Sequence, residues 1–321
     1  MDPSTPAQAS PAPGPDPARG VRRASTTGQR AALAERLRRH VAALEGIRHP
    51  SAAPERHRAA RDYVANELRA LGLGVDLAPF SFRGRTHHNV VAHLSGSDPR
   101  RPGLLLGAHF DSTAHTPGAD DNASGVAALL ECARHFASRT PRARVEFVGF
   151  DLEELQTVTG RYRIGSHALA REKRARREAL VGALILEMVG YRDARPGTQI
   201  VPPFLGIDVP GTGDFLAAVG DTRSRELLEA FLAGARAAAP ELPLVSYSTR
   251  LRGWLLPLTR LSDNASFWDA RYPSLMLTDT AFLRNPHYHR ATDTGTTLDY
   301  AFMALVTEAT AGALARLADA G

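Results

Sequence analysis

Cysteine occurs once in the 321 residues, at Cys132, so the chain can build neither a disulfide scaffold nor a cysteine-ligated zinc finger. Any metal must be held by His and carboxylates. A run of about 18 uncharged apolar residues, the length that marks a membrane-spanning helix, is also lacking, and no such helix is expected. Basic charge is in excess only at one end. The net charge of +5 arises in the first 60 residues, which hold ten Arg against five acids, and the remainder carries 29 of each sign. No aromatic residues are interleaved with those arginines, so a solvated arm is expected and nucleic-acid binding is not. Hydrophobic residues at 43% and charged residues at 23% exclude a wholly disordered chain, a collagen-like fibre and a membrane bundle.

The length allows about two average domains, or one α/β domain of roughly 250 residues or more with a tail. Six prolines precede Ala18, and residues 1–29, rich in Pro, Ala and Arg, are expected to be disordered. The Arg22-Arg23 pair is followed by no apolar core, so it does not read as an export signal, and a cytoplasmic location is expected. Residues 30–321 are expected to form a single catalytic domain. Leu33, Leu37, Val41 and Leu44 recur at helical spacing, and a second helix runs through Tyr63, Val64 and Leu68 to a stop at Gly72.

Strands are expected at Val75–Phe82, Asn89–Leu94, Leu104–Ala108, Val145–Phe150 and Ala183–Val189, the last three as buried central strands. Helical patterns lie at Ala123–Ala137, about Gly165–Ala179, Ser224–Ala238 and Leu298–Leu317. This alternation predicts a three-layer α/β/α sandwich with a mixed, centrally parallel sheet and antiparallel edge strands from the early hairpin. Residues 191–222, rich in Gly and Pro, are too long for an ordinary connection and are expected to form a loop or small cap.

Ligands in such sheets bind beyond the carboxyl ends of the strands, and each expected strand end offers an imidazole or a carboxylate. His109-Phe110-Asp111 follows Leu104–Ala108, and Asp120-Asp121 opens the loop before the Ala123 helix. Glu153-Glu154 follows Val145–Phe150, Glu187 follows Ala183–Leu186, and Tyr288-His289 comes after the apolar run Leu275–Leu277. Zinc accepts His nitrogen and carboxylate oxygen. With Asp121 as a bridge, His109 and Glu187 would complete one ion, and Glu154 and His289 another. Without metal the same carboxylates would crowd together and resist ionisation, a poor design for a structural core.

An isolated H-x-D or E-E pair is common, Asp120-Asp121 alone would serve as a helix cap, and His289 alone would pass for a surface imidazole. The conjunction in order along the chain is what points to a metal site. His287 is a lesser alternative ligand, because residues i and i+2 on an extended segment face opposite ways. Trp254, Phe267, Trp268 and Phe282 are candidates to line an apolar specificity pocket. Cys132 reads as a small buried hydrophobe, and His87-His88 carries no assigned role.

These residues resemble the co-catalytic dizinc aminopeptidases, whose relatives include glutamate carboxypeptidase, the glutaminyl cyclases and the transferrin receptor ectodomain. The similarity runs from about Arg48 to Leu317 and is strongest at Gly107–Ser112 and Pro117–Gly125. It implies two Zn²⁺ held by His109, Asp121, Glu154, Glu187 and His289, with Asp121 bridging. It further implies Glu153 as the general base, Tyr288 as the phenol that stabilises the tetrahedral intermediate, and Asp111 as the carboxylate that orients His109. The expected reaction is metal-assisted hydrolysis of the N-terminal bond of a peptide or aminoacyl substrate, with Glu153 taking a proton from water and returning it to the leaving amine.

Three departures stand out. Glu187 replaces the usual Asp, an insertion follows Glu153-Glu154, and the common S-D-H segment reads Ser262-Asp263-Asn264. A glutaminyl cyclase-like enzyme, an N-acyl amino acid amidohydrolase and an inactive receptor or binding domain are the alternatives. The full set of five ligands and a base favours the aminopeptidase.

Overall fold

The structure, a computed structural model, describes residues 17–155, 160, 162–203 and 205–320, with side chains from residue 28 onward. Seven α-helices, Pro17–Leu44 (α1), Pro54–Ala70 (α2), Gly125–Phe136 (α3), Ile164–Ala175 (α4), Arg225–Ala238 (α5), Asn264–Asp269 (α6) and Tyr300–Asp319 (α7), are found among the described residues. The strands are Gly74–Phe82 (β1), Arg85–Leu94 (β2), Gly103–His109 (β3), Val145–Phe150 (β4), Leu180–Glu187 (β5), Asp193–Pro196 (β6), Thr212–Gly213 (β7), Leu216–Asp221 (β8), Leu244–Thr249 (β9) and Ser274–Thr278 (β10).

Eight strands form one sheet in the order β1-β2-β4-β3-β5-β10-β8-β9. The four central strands β4, β3, β5 and β10 run parallel, the β1-β2 hairpin adds antiparallel to β4, and β8 adds antiparallel to β10. Side chains alternate across this sheet, so both faces of the central strands must be apolar. Leu104, Leu106, Leu184 and Leu186 pack with residues of α1, α2, α3, α5 and α7. Leu105, Ala183 and Ile185 face the other way, onto Leu169 of α4 and Phe267 of α6. The expected α/β/α sandwich with a mixed, centrally parallel sheet is therefore the fold of the chain.

Short polar side chains fix where helices begin. Asp221 accepts the Ser224 N–H at 3.0 Å before α5, and Asp299 accepts the N–H groups of Ala301 and Phe302 at 3.0 Å at the head of α7. α7 is long and apolar enough to cross a membrane by length and composition. It packs inside the layer of α1, α3 and α5, with Met303, Val306, Leu314 and Ala318 buried.

Two expectations change. Disorder was expected through residue 29, yet α1 begins at Pro17; residues 1–16 lie outside the described residues. Proline suits the first turn of a helix, where its missing N–H has no partner to lose, and the Ala- and Arg-rich stretch that follows favours helix. The 191–222 segment divides in two. A small two-stranded excursion, β6 with β7, is followed by β8, which is fully buried in the main sheet. The small side chains of Leu216-Ala217-Ala218-Val219-Gly220 hide a central-strand pattern that bulkier residues would have shown.

Candidate active site

His109 is the last residue of β3, Glu153 and Glu154 lie just past β4, and Glu187 ends β5. His289 lies in the turns that follow β10, and Asp121 in a wide helical turn, Ala119–Ser124, ahead of α3. Five side chains scattered over the sequence thus meet at one edge of the parallel sheet, where the fold leaves its ligand crevice.

Their geometry is that of two groups sharing one carboxylate. His109 Nε2 stands 3.3 Å from Asp121 Oδ1 and 3.5 Å from Glu187 Oε2. His289 Nε2 stands 3.1 Å from Asp121 Oδ2 and 3.5 Å from Glu154 Oε2. Within each group, His109-Asp121-Glu187 and Asp121-Glu154-His289, the candidate donor atoms lie within 4.8 Å of one another. Each oxygen of Asp121 faces a different imidazole, which is the arrangement a bridging carboxylate requires. His287 joins neither group; its Nδ1 pairs with Thr292 Oγ1 at 2.9 Å.

Main-chain and carboxylate contacts hold these donors in place. Asp111 accepts the N–H groups of Glu153 and Glu154 at 3.0 and 3.1 Å and lies 3.4 Å from His109 Nδ1, so one buried carboxylate orients three site residues. Asn122 donates to Leu186 O at 2.8 Å and accepts from Met188 N at 3.1 Å, which ties the Asp121 turn to the end of β5. Asp293 accepts the N–H groups of Asp120 and Asp121. Ser262 Oγ donates to Glu187 Oε2 at 2.6 Å, giving the longer Glu side chain a fixed orientation. Leu152, Met188 and His289, at or beside the site residues, have φ of 57°, 51° and 55°. Each such left-handed non-glycine residue costs on the order of 1–3 kcal/mol, a strain that clusters where function dictates backbone direction.

The donors are buried and in electrostatic conflict. His109 is fully buried, and neither ring nitrogen meets a hydrogen-bond partner in good geometry. Burial opposes its positive charge, but the Glu187 and Glu153 carboxylates and the contacts to Asp111 and Asp121 outweigh burial and hold its pKa well above the usual value. Glu153 and Glu154 are pushed well above the carboxylate range, by burial first and by neighbouring acids second. Burial raises Asp263, at the head of α6, to about 7. Asp121 moves the other way: burial disfavours its charge, yet His109 and His289 together hold it below its ordinary value. Two imidazoles and three carboxylates converge here within reach of a single pair of ion positions, and divalent ions would relieve the conflict among the acids. Two His and three carboxylates, without thiolate, suit zinc.

Tyr288 stacks on His289 with ring centroids 3.9 Å apart, and burial raises its phenol pKa further above the usual value. Tyr288 and Glu187 also line an apolar cavity of about 110 Å³, whose other walls include Ile200, Leu205, Ala217, Val219, Tyr247, Leu256, Met276 and Phe282. The expected aromatic lining is corrected to a mostly aliphatic one. Phe282 lines the cavity, whereas Phe267 and Trp268 are in the core and Trp254 is exposed beneath the Arg260 guanidinium. Of the insertion after Glu154, residues 156–159 and 161 lie outside the described residues. Asp293, Ser262 and Asp263 were not expected at the site. Asp293 had a legible signal, an acid four residues after His289; the other two stood in the S-D-N segment, which was read for its missing imidazole.

An α/β/α sandwich with imidazoles and acids gathered beyond its parallel strands defines a class, the zinc-peptidase-like hydrolase fold. Within that class the sequence of residues 89–314 matches Peptidase family M28, and the chain belongs to that family, which makes it a zinc metallopeptidase by kind. It is 33% identical over 292 residues to the uncharacterised protein YfbL of Escherichia coli, covering 87% of each chain. It is 32% identical over 136 residues to leupeptin-inactivating enzyme 1 of Streptomyces exfoliatus, covering 42% of this chain and 30% of that one. Its fold is similar to the LapA aminopeptidase of Legionella pneumophila (TM-score 0.69, 18% identity, 90% and 74% of the chains). A glutaminyl cyclase of Porphyromonas gingivalis is similarly close in fold (TM-score 0.66, 20% identity, 89% and 97%).

Proposed function

We propose that the protein is a dizinc aminopeptidase that removes an apolar residue from the N-terminus of a peptide. The observation that carries this reading is the division of Asp121 between two three-ligand groups at the mouth of an apolar cavity. His109, Asp121 and Glu187 would hold one ion; Asp121, Glu154 and His289 the other. When bound, zinc supplies Lewis acidity and lowers the pKa of water.

The chain's own residues do the rest. Glu153 belongs to neither ligand group, is buried, and has its backbone fixed by Asp111. A carboxylate there would take a proton from the attacking water and pass it to the leaving amine. The Tyr288 hydroxyl, kept neutral by burial and bordering the cavity, would donate to the carbonyl oxygen as charge develops on it. Glu187, with Ser262 holding its Oε2, borders the cavity and offers a carboxylate to a free α-amino group. Beside that anchor the cavity receives the first side chain. An engineered hole of about 150 Å³ accepts benzene, so one of about 110 Å³ suits the aliphatic side chain of Leu or Met.

A panel of aminoacyl anilides, their N-acetyl counterparts and an N-terminal glutamine peptide, each with and without chelator, tests the proposal. Leucyl and methionyl anilides are expected to be cleaved at least about tenfold faster than alanyl or aspartyl ones, with activity lost in chelator and restored by zinc. Preference for the N-acetyl substrates would instead make the enzyme an amidohydrolase. Cyclisation of the glutamine peptide without anilide cleavage would make it a cyclase.

A further inference from the structure

Arg48 sits in the link between α1 and α2 and is fully buried. Its guanidinium donates to five main-chain carbonyls: Nε to Phe110 O at 2.8 Å, Nη1 to Leu44 O at 2.6 Å, Gly46 O at 3.1 Å and Pro117 O at 2.8 Å, and Nη2 to Gly118 O at 2.8 Å. Its own N–H donates to Ser112 Oγ at 2.9 Å. Phe110 directly follows His109, and Gly118, at φ +65°, precedes the turn that carries Asp121. The rigid fork therefore grips both ends of the loop that joins two candidate ligands.

Stability alone is a weak reason for such a residue. Among the described residues no carboxylate accepts a hydrogen bond from Arg48, and a buried charge held only by carbonyls recovers its lost hydration poorly. Burial lowers its pKa to about 10, against the raising influence of Asp111, Asp293 and Asp121, and it remains a cation at neutral pH. What the planar fork supplies is geometry, since Lys has three donors on a flexible stem and cannot span the same carbonyls. On the reading that His109 and Asp121 bind metal, we infer that Arg48 is a positioning residue for that centre: by clamping the 110–118 loop at both ends it sets the His109 to Asp121 spacing, and so the affinity of the ion that these two share with Glu187.

The test is R48K in the full chain, measured well below its melting temperature. The readouts are zinc per chain, zinc Kd by chelator competition, kcat and KM. The expected result is that one of the two zinc Kd values rises about 10–100-fold with a matching fall in kcat, while KM stays within about threefold. A residue that merely braces the fold would lower Tm and leave Kd and kcat of the folded protein unchanged, and that result overturns the inference. If R48K does not fold, S112A loosens the same clamp without stranding a charge; a Kd raised about threefold supports the inference, and an unchanged Kd overturns it. A parent protein that binds no zinc overturns the ligand reading and this inference together. Zinc-loaded parent and variant with equal Kd and kcat overturn this inference alone.

Discussion

Replacing Glu153 with Gln separates proton transfer from metal holding, because the two functions fall on adjacent residues. Glu153 Oε2 stands 4.0 Å from His109 Nε2, at the edge of the cluster, and belongs to neither three-ligand group. Gln has nearly the same shape and leaves the backbone bond from residue 153 to Asp111 intact. The variant is therefore expected to keep the parent's fold. What it loses is the ability to accept a proton. A positioned general base is worth about 10²–10⁴ in rate, or roughly 3–5 kcal/mol of barrier. We therefore expect E153Q to hold the same zinc per chain as the parent, to bind substrate with KM within about threefold, and to lose about 10²–10⁴ in kcat. Elemental analysis of the dialysed protein and anilide hydrolysis under saturating zinc measure both quantities. Activity above about a tenth of the parent's would refute the assignment of the base. Loss of zinc with retained fold would instead show that Glu153 is a ligand.

Ala217 lines the cavity from β8. Ala217→Phe should cut kcat/KM for leucyl anilide by about 10–200-fold, the worth of a lost apolar contact, while the alanyl substrate changes about threefold or less; equal losses on both would show that the cavity does not receive the first side chain. Glu146, buried on β4, pairs with Lys173 Nζ at 2.6 Å and lies near His93 and Arg144. Burial raises its pKa, but His93 and Lys173 outweigh burial and bring it from 4.5 to about 2. A depressed carboxylate stabilises the fold above its unfolded pKa and stops doing so as protonation sets in, so the loss should fall between pH 4.5 and about 2 and reach about 3 kcal/mol. Chemical denaturation across that range should show the parent losing stability more steeply than E146Q, and parallel curves would refute the argument.

How much of this was visible beforehand follows from where the constraints act. The central strands declared themselves because both of their faces are buried, which forces runs such as Leu104–Ala108 and Ala183–Leu186 to be apolar throughout. β8 did not, because Ala217, Ala218 and Gly220 are small. A Cβ at Gly220 would lie 2.9 Å from the Leu275 side chain, which would have to shift to admit it. The five meeting residues were legible because the fold requires them at strand ends in a fixed order. Their supports were less so, since Asp293 and Arg48 act through backbone groups, and Ser262 through the Glu187 carboxylate, all remote in sequence. The buried guanidinium on Phe110 and Gly118 carbonyls is a relation between the α1–α2 link, the residue after β3 and the segment ahead of the Asp121 turn that exists only once the chain is folded.

The same relations bear on the choice between hydrolase and cyclase. An aminopeptidase fold and a glutaminyl cyclase fold match this chain almost equally, at 18% and 20% identity, so the sheet cannot choose between them. The two reactions differ in the nucleophile. Both must move a proton from the nucleophile to the leaving group, so a base serves either; hydrolysis must also draw its nucleophile from water, which a second ion would assist, whereas cyclisation uses the substrate's own amine. Here Asp121 has one oxygen toward each imidazole, and Glu153 stands beside both groups without belonging to either. A site that had only to polarise a carbonyl for an internal amine would gain little from the His109 group. That group is instead the more deeply enclosed of the two, with His109 fully buried and His289 at the surface. The side that is buried and most heavily buttressed is the side cyclisation would not need, and this asymmetry favours water as the nucleophile.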